Sequence, residues 1–231
     1  MSIGSLFTLL GFLAGGAVYF FAARREPQFR SHSLKLAVVG LTCGVLGAKL
    51  SHWVASGQIS ESPNAAGYLF SGRSLIGGLL FGWIGVEIAK RVMGIRASSG
   101  PMFALAIPAG ESVGRFGCFL NGCCYGTKTY LPWAVQMHGE WRHPSQLYLS
   151  VSAALIFFFM LYLHARVDKR TLFPIFLALF GISRFAIEFF RERQPLFAGV
   201  SLAQIVCLEL SVTALVILYL NKRHQTGATG G

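Results

Sequence analysis

The chain has 231 residues, 54% of them apolar and 13% charged, where a soluble domain carries about 25% charged residues. With a mean hydropathy of +0.57, this excludes an ordinary soluble enzyme, a disordered chain and a disulfide-stapled secreted module. The net charge of +11 arises from 20 Lys and Arg against 9 Asp and Glu. These basic residues fall mostly in short connections between apolar blocks, which orients a membrane protein and does not suit a nucleic-acid binder.

A helix needs about 20 apolar residues to cross roughly 30 Å of hydrocarbon. Seven such segments are predicted, over 3–22, 34–55, 75–88, 102–120, 146–164, 172–190 and 200–220. The first has Arg24-Arg25 after it and no basic residue before it, which does not fit a cleavable signal. The third is short and glycine-rich. The fourth is interrupted by Pro108, Gly110, Gly114 and Gly117 and contains Glu111 and Arg115. The expected fold is all-α: one multi-pass transmembrane domain over 1–223, then a polar tail over 224–231. No internal repeat stands out.

Twelve Lys and Arg lie after the odd-numbered segments, and five lie in the remaining connections. The positive-inside bias then places the N-terminus outside and the C-terminus in the cytoplasm. Cys118, Asn121, Cys123, Cys124, Tyr125, Gly126, Arg142 and His143 fall at or near the outer connection between the fourth and fifth segments.

Charge inside a bilayer costs at least about 2.5–3.5 kcal/mol per side chain, so Lys49, Glu87, Glu111, Arg115, Arg184, Glu188 and Glu209 each need a reason. Simple pairing is one reason: Glu111 and Arg115 stand four apart, as do Arg184 and Glu188. Arg191 complicates it, because it lies two helical turns beyond Arg184 and projects from the same face. Arg115, Arg184 and Arg191 together carry more positive charge than Glu111 and Glu188 offset. A guanidinium fork suits phosphate, and in a membrane the obvious phosphate is a lipid headgroup. For the outer connection the alternatives stay open. Tyr125, Trp133 and Tyr148 suit interfacial anchoring, and His143 suits a helix entry. Cys118, Cys123 and Cys124 suit small packing residues, reactive thiols or a disulfide. With no CxxC pair or zinc-ribbon spacing among the five cysteines, neither a metal nor a cofactor is expected.

The run Gly114-Arg115-Phe116-Gly117-x-Phe119-x-Asn121-Gly122-x-x-Tyr125-Gly126, followed by Leu131-Pro132-Trp133 and Arg142-His143-Pro144-Ser145-Gln146-Leu147-Tyr148, resembles the bacterial prolipoprotein diacylglyceryl transferase family. Arg184-Phe185-x-x-Glu188-Phe189-Phe190-Arg191 is similar to that family's second arginine motif, and Gly199-x-Ser201-x-x-Gln204 to its last-helix entry. Gly47-Ala48-Lys49-Leu50 is similar to its second-helix motif, with Lys49 in place of Arg, and Gly77-Gly78-Leu79 matches the end of a third. The resemblance implies transfer of a diacylglyceryl group from phosphatidylglycerol, or a related anionic phospholipid, to the cysteine thiol of a lipoprotein precursor. Glycerol phosphate is released, at the outer face of the bacterial inner membrane. It implies catalytic roles for Arg115, Arg184 and His143. It implies substrate-binding roles for Lys49, Cys118, Asn121, Cys123, Tyr125, Gly126, Arg142, Gln146, Glu188 and Arg191, with Glu188 orienting Arg184.

The sequence also departs from the family. Ile76 stands where the family has His, and Cys118 and Cys123 stand where it has Asn and Glu. A membrane-embedded Asp is replaced near Pro101, and a tyrosine by Phe180. The pattern is that of a divergent paralogue. A lipid-binding protein without transferase activity is the alternative, and a small transporter is a third reading.

Overall fold

Apolar side chains along the long helices of the computed structural model point outward, the reverse of a water-soluble protein; residues 3–56, 75–192 and 199–228 are described. Helix α1 spans Ile3–Arg25, α2 Pro27–Arg30, α3 Ser33–Ser56, α4 Leu75–Val92 and α5 Gly100–Leu120. A hairpin of β1 (Val135–Met137) and β2 (Glu140–Arg142) follows, then α6 (Ser145–His164), α7 (Lys169–Glu188) and α8 (Leu202–Ala228). Among the described residues, five stretches are long and apolar enough to cross a membrane: Leu6–Arg25, Ser33–Ser51, Ser145–His164, Lys169–Glu188 and Leu202–Arg223. Their exposed residues include Leu9, Phe12 and Leu13 on α1, Leu155, Phe158 and Phe159 on α6, and Leu208, Val212 and Leu215 on α8. Bare apolar faces on spans of this length are covered by lipid.

The other two predicted segments are helices as well. Helix α4 carries Glu87, Lys90 and Arg91, and α5 carries Glu111 and Arg115. Helix α5 continues through Pro108, as membrane helices can where neighbours satisfy the freed backbone. The hairpin, with isolated β-bridges between Gly126 and Arg191 and between Lys128 and Arg142, departs from the expected all-α chain. It pairs Val135 with Arg142 and Met137 with Glu140. Its turn is made by His138 (φ 51°) and Gly139 (φ 81°), the left-handed pair that a two-residue hairpin loop requires. Helix α8 continues to Ala228, so 224–228, read from sequence as tail, extends the helix.

The chain packs as two units, one of residues 1–18 with 100–231 and one of residues 19–99. In the second unit, Glu87 accepts hydrogen bonds from Lys90 Nζ (2.8 Å) and Ser99 Oγ (2.9 Å). That accounts for one of the unexpected charges as internal pairing. In the first unit, the first half of α1 lies against α5 through glycines. A Cβ on Gly11 would stand 2.7 Å from the Gly110 carbonyl oxygen, and one on Gly110 2.8 Å from that of Gly11. Such small-residue contacts let membrane helices approach closely.

Because the backbones leave no space for a side chain there, Gly110→Leu is expected to destabilise the protein by about 1–3 kcal/mol, the usual cost of overpacking. Thermal unfolding in detergent checks this: a lowered midpoint is expected, and an unchanged one would show that α1 and α5 do not pack in this way.

Candidate functional site

Two helices that differ in sequence position by some seventy residues bring the buried charges together. Helix α5 contributes Glu111 and Arg115, one turn apart. Helix α7 contributes Arg184 and Glu188, and the chain just past its end contributes Arg191. Arg115 Nε donates to Glu111 Oε1 at 3.2 Å, and Arg184 Nη1 lies 3.8 Å from the same oxygen. Arg184 Nε lies 3.7 Å from Glu188 Oε2, to which Arg191 Nη1 donates at 3.0 Å. The result is an alternating chain, Arg115–Glu111–Arg184–Glu188–Arg191, whose side chains are between 6% and 18% exposed.

Within this chain three guanidinium groups face two carboxylates. Arg184 Nη1 and Arg191 Nε are buried without a hydrogen-bond partner among the described residues. Buried donors of this kind carry a desolvation cost until an acceptor arrives. Surplus positive charge and unsatisfied planar donors make an anion site, and the guanidinium fork suits phosphate oxygens. The sequence expectation that Glu188 orients Arg184 needs refinement: its hydrogen bond goes to Arg191, and Arg184 lies at ion-pair distance only.

A clamp closes the end of the helices at which α5 and α7 finish. Thr127 N donates to Phe190 O, and His143 N to Thr127 O, so residues 126–128 lie between the start of α6 and the end of α7. Gly126 is needed at this crossing, because a Cβ there would stand 2.7 Å from both the Cβ and the carbonyl oxygen of His143. Arg142 is buried and already neutralised. It donates to Glu140 Oε2 at 2.5 Å, Glu192 Oε2 at 2.9 Å and Gly126 O at 3.3 Å. Its guanidinium carbon lies 4.5 Å from the centre of the Tyr125 ring. Glu140 also pairs with Lys128, and hydrogen bonding from Lys128 is the main reason its carboxyl is held below the usual carboxylate range. Arg142 therefore holds the loop together.

His143 is buried and shares a hydrogen bond through Nδ1 with Tyr148 Oη (3.1 Å), which also accepts from Trp133 Nε1 at 2.8 Å. Its ring packs 5.1 Å from that of Phe190, next to Arg191. Gln146 is fully buried and donates from Nε2 to Cys123 O at 2.6 Å. Asn121 is exposed at the end of α5. Lys49, on α3, belongs to the second unit.

The Sγ atoms of Cys118, Cys123 and Cys124 lie within 4.8 Å of one another, a convergence that their spacing did not suggest. Hydrogen bonding from the Cys118 thiol, helped by Arg115 and Arg191 and opposed by burial, lowers the Cys124 thiol to about 5. Burial pushes the Cys123 thiol up.

Residues 3–220 match the family model for prolipoprotein diacylglyceryl transferase. Similar proteins include the phosphatidylglycerol–prolipoprotein diacylglyceryl transferase of Geobacter sulfurreducens, 32% identical over 96% of this chain and 91% of that protein. The protein of the same name from Aromatoleum aromaticum is 31% identical over 92% of this chain and 87% of its own length. That from Clostridium tetani is 28% identical over 79% and 77%.

Glu111 faces two guanidinium groups, so its neutralisation leaves buried positive charge unpaired, a loss of about 3–5 kcal/mol. Glu111→Gln is expected to lower the unfolding midpoint strongly. Adding Arg115→Gln to it should cost less than the sum of the two single changes. Additive losses in this double-mutant cycle would contradict the shared ion pair.

Proposed function

The chain belongs to the prolipoprotein diacylglyceryl transferase family, and from this we propose that it transfers a diacylglyceryl group from phosphatidylglycerol to the cysteine thiol of a lipoprotein precursor. The observation that carries this reading is the arginine surplus, with the buried donors Arg184 Nη1 and Arg191 Nε that lack a hydrogen-bond partner among the described residues. A phosphodiester headgroup supplies the charge and the acceptor oxygens these donors lack.

In the transfer, the thiolate sulfur attacks the glyceryl carbon that bears the phosphate. The C–S bond forms as the C–O bond breaks, and the electron pair stays on the departing glycerol phosphate. Negative charge on that phosphate rises as it leaves, so Arg115 and Arg184, fixed beforehand by Glu111 and Glu188, stabilise the transition state more than the bound lipid. His143, its ring held by Tyr148, takes the thiol proton. Asn121 and Tyr125 face the substrates, while Gly126, Arg142 and Gln146 act through the loop they hold.

Helices α4 and α5 complete seven crossings in this reading, with the N-terminus outside and the site at the outer face of the bacterial inner membrane. The basic residues concentrated after the odd-numbered segments support that orientation.

The test is an assay of purified protein with labelled phosphatidylglycerol and a peptide bearing the precursor cysteine, scoring headgroup release and peptide lipidation together. Arg115→Gln and Arg184→Gln are each expected to lower headgroup release by about 10²–10³-fold, the usual size of a lost charge-stabilising donor. Lys should rescue only in part, since a point charge lacks the fork. Undiminished release in both Gln variants would remove the arginines from the reaction.

A further inference from the structure

We propose that Cys118, Cys123 and Cys124 form a three-thiolate site for a thiophilic divalent cation of the zinc type, with its fourth position open to the outer face. The site begins with the way α5 ends. Cys123 N donates to Cys118 O at 3.2 Å, Gly122 N donates to Phe119 O at 3.0 Å, and Gly122 takes φ 62°. These are the paired bonds and the left-handed residue of a Schellman helix end, which brings the side chain just past the stop back over the last turn. The motif thus turns the spacing between Cys118 and Cys123 into proximity. Cys124 then adopts φ 59°, uncommon for a residue with a side chain, and its thiol joins the other two.

This geometry is held from outside the loop. Ser145 Oγ donates to Cys124 O at 3.0 Å, and the buried Gln146 Nε2 donates to Cys123 O. Both cysteine carbonyls are therefore fixed by the first turn of α6. Sulfurs bound to zinc at about 2.3 Å lie roughly 3.8–4.0 Å apart in tetrahedral or trigonal geometry. With all three Sγ atoms within 4.8 Å of one another, small side-chain rotations suffice. A disulfide would engage only two of them and would require an S–S distance of about 2.05 Å. Thiol protons leave to solvent as the cation binds. The field of Arg115 and Arg191, which reaches Cys124, offsets the negative charge that three thiolates leave on a divalent ion. Cys123 and Cys124 are exposed, so the fourth coordination position can take water or an incoming thiol. The site rests on the thiol geometry alone and does not depend on the transferase reading.

Cobalt(II) is the probe. Full-length protein in detergent, stripped with a chelator and kept reduced, is titrated with cobalt(II) and followed by absorption. One equivalent is expected to produce thiolate-to-cobalt charge transfer, which zinc(II) then displaces, and zinc(II) should raise the wild-type unfolding midpoint. Cys118→Ser, Cys123→Ser and Cys124→Ser should each lose the band, while Cys43→Ser and Cys207→Ser keep it. No band in the wild type, two thiols locked as a disulfide despite reductant, or a band that survives any of the three changes would overturn the site.

Discussion

Glu111, Arg115, Arg184, Glu188 and Arg191 are buried as one alternating chain of charge, and this constrains the helices that carry them. Each ion taken from water costs several kcal/mol, and the cost is recovered only where partners stand at close range. Helices α5 and α7 must therefore meet in a register that lets Glu111 serve Arg115 and Arg184, and Glu188 serve Arg184 and Arg191. The glycine contact between α1 and α5, and the Ser150 Oγ–Ser112 O hydrogen bond (2.6 Å) between α6 and α5, hold that register from two sides. The odd number of charges leaves the chain positive. A protein selected for stability alone would have no use for a buried surplus cation, whereas one that binds a phosphate would.

The loop beyond α5 extends the same organisation outward. Its backbone is tied to α6 by Ser145 and Gln146 and to α7 through the Thr127–Phe190 hydrogen bond. Arg142 is held by two carboxylates and a carbonyl oxygen, and His143 by Tyr148. The histidine, the cysteines and the buried arginines thus sit on one supported frame, and rigid support of this kind is what keeps catalytic groups in productive geometry.

Much of this was legible in the sequence. The apolar blocks marked the helices, including the more charged α4 and α5, because hydrophobic length is a strong signal. The surplus of arginine could be counted directly, and the i,i+4 pairing of Glu111 with Arg115 follows from helical spacing alone. The sharing of Glu111 with Arg184 was not legible, because it depends on how two distant segments pack. Glu188 illustrates the same limit. Spacing assigned it to Arg184, yet the turn after α7 swings Arg191 into hydrogen-bonding range. The hairpin escaped notice because three residues per strand carry almost no periodicity. The three thiols did not match a known ligand spacing, and only the helix-end geometry at Gly122 brings them together. The family resemblance supplied roles for residues that composition alone left ambiguous, His143 above all.

The central claim is that the arginine surplus holds one anionic lipid phosphate, and native mass spectrometry of the detergent-solubilised protein tests it most directly. Offered equal amounts of phosphatidylglycerol and a zwitterionic phospholipid, the wild type should retain one phosphatidylglycerol per chain, and Arg184→Gln should retain far less. Equal retention of the two lipids, or retention unchanged by that substitution, would contradict the account.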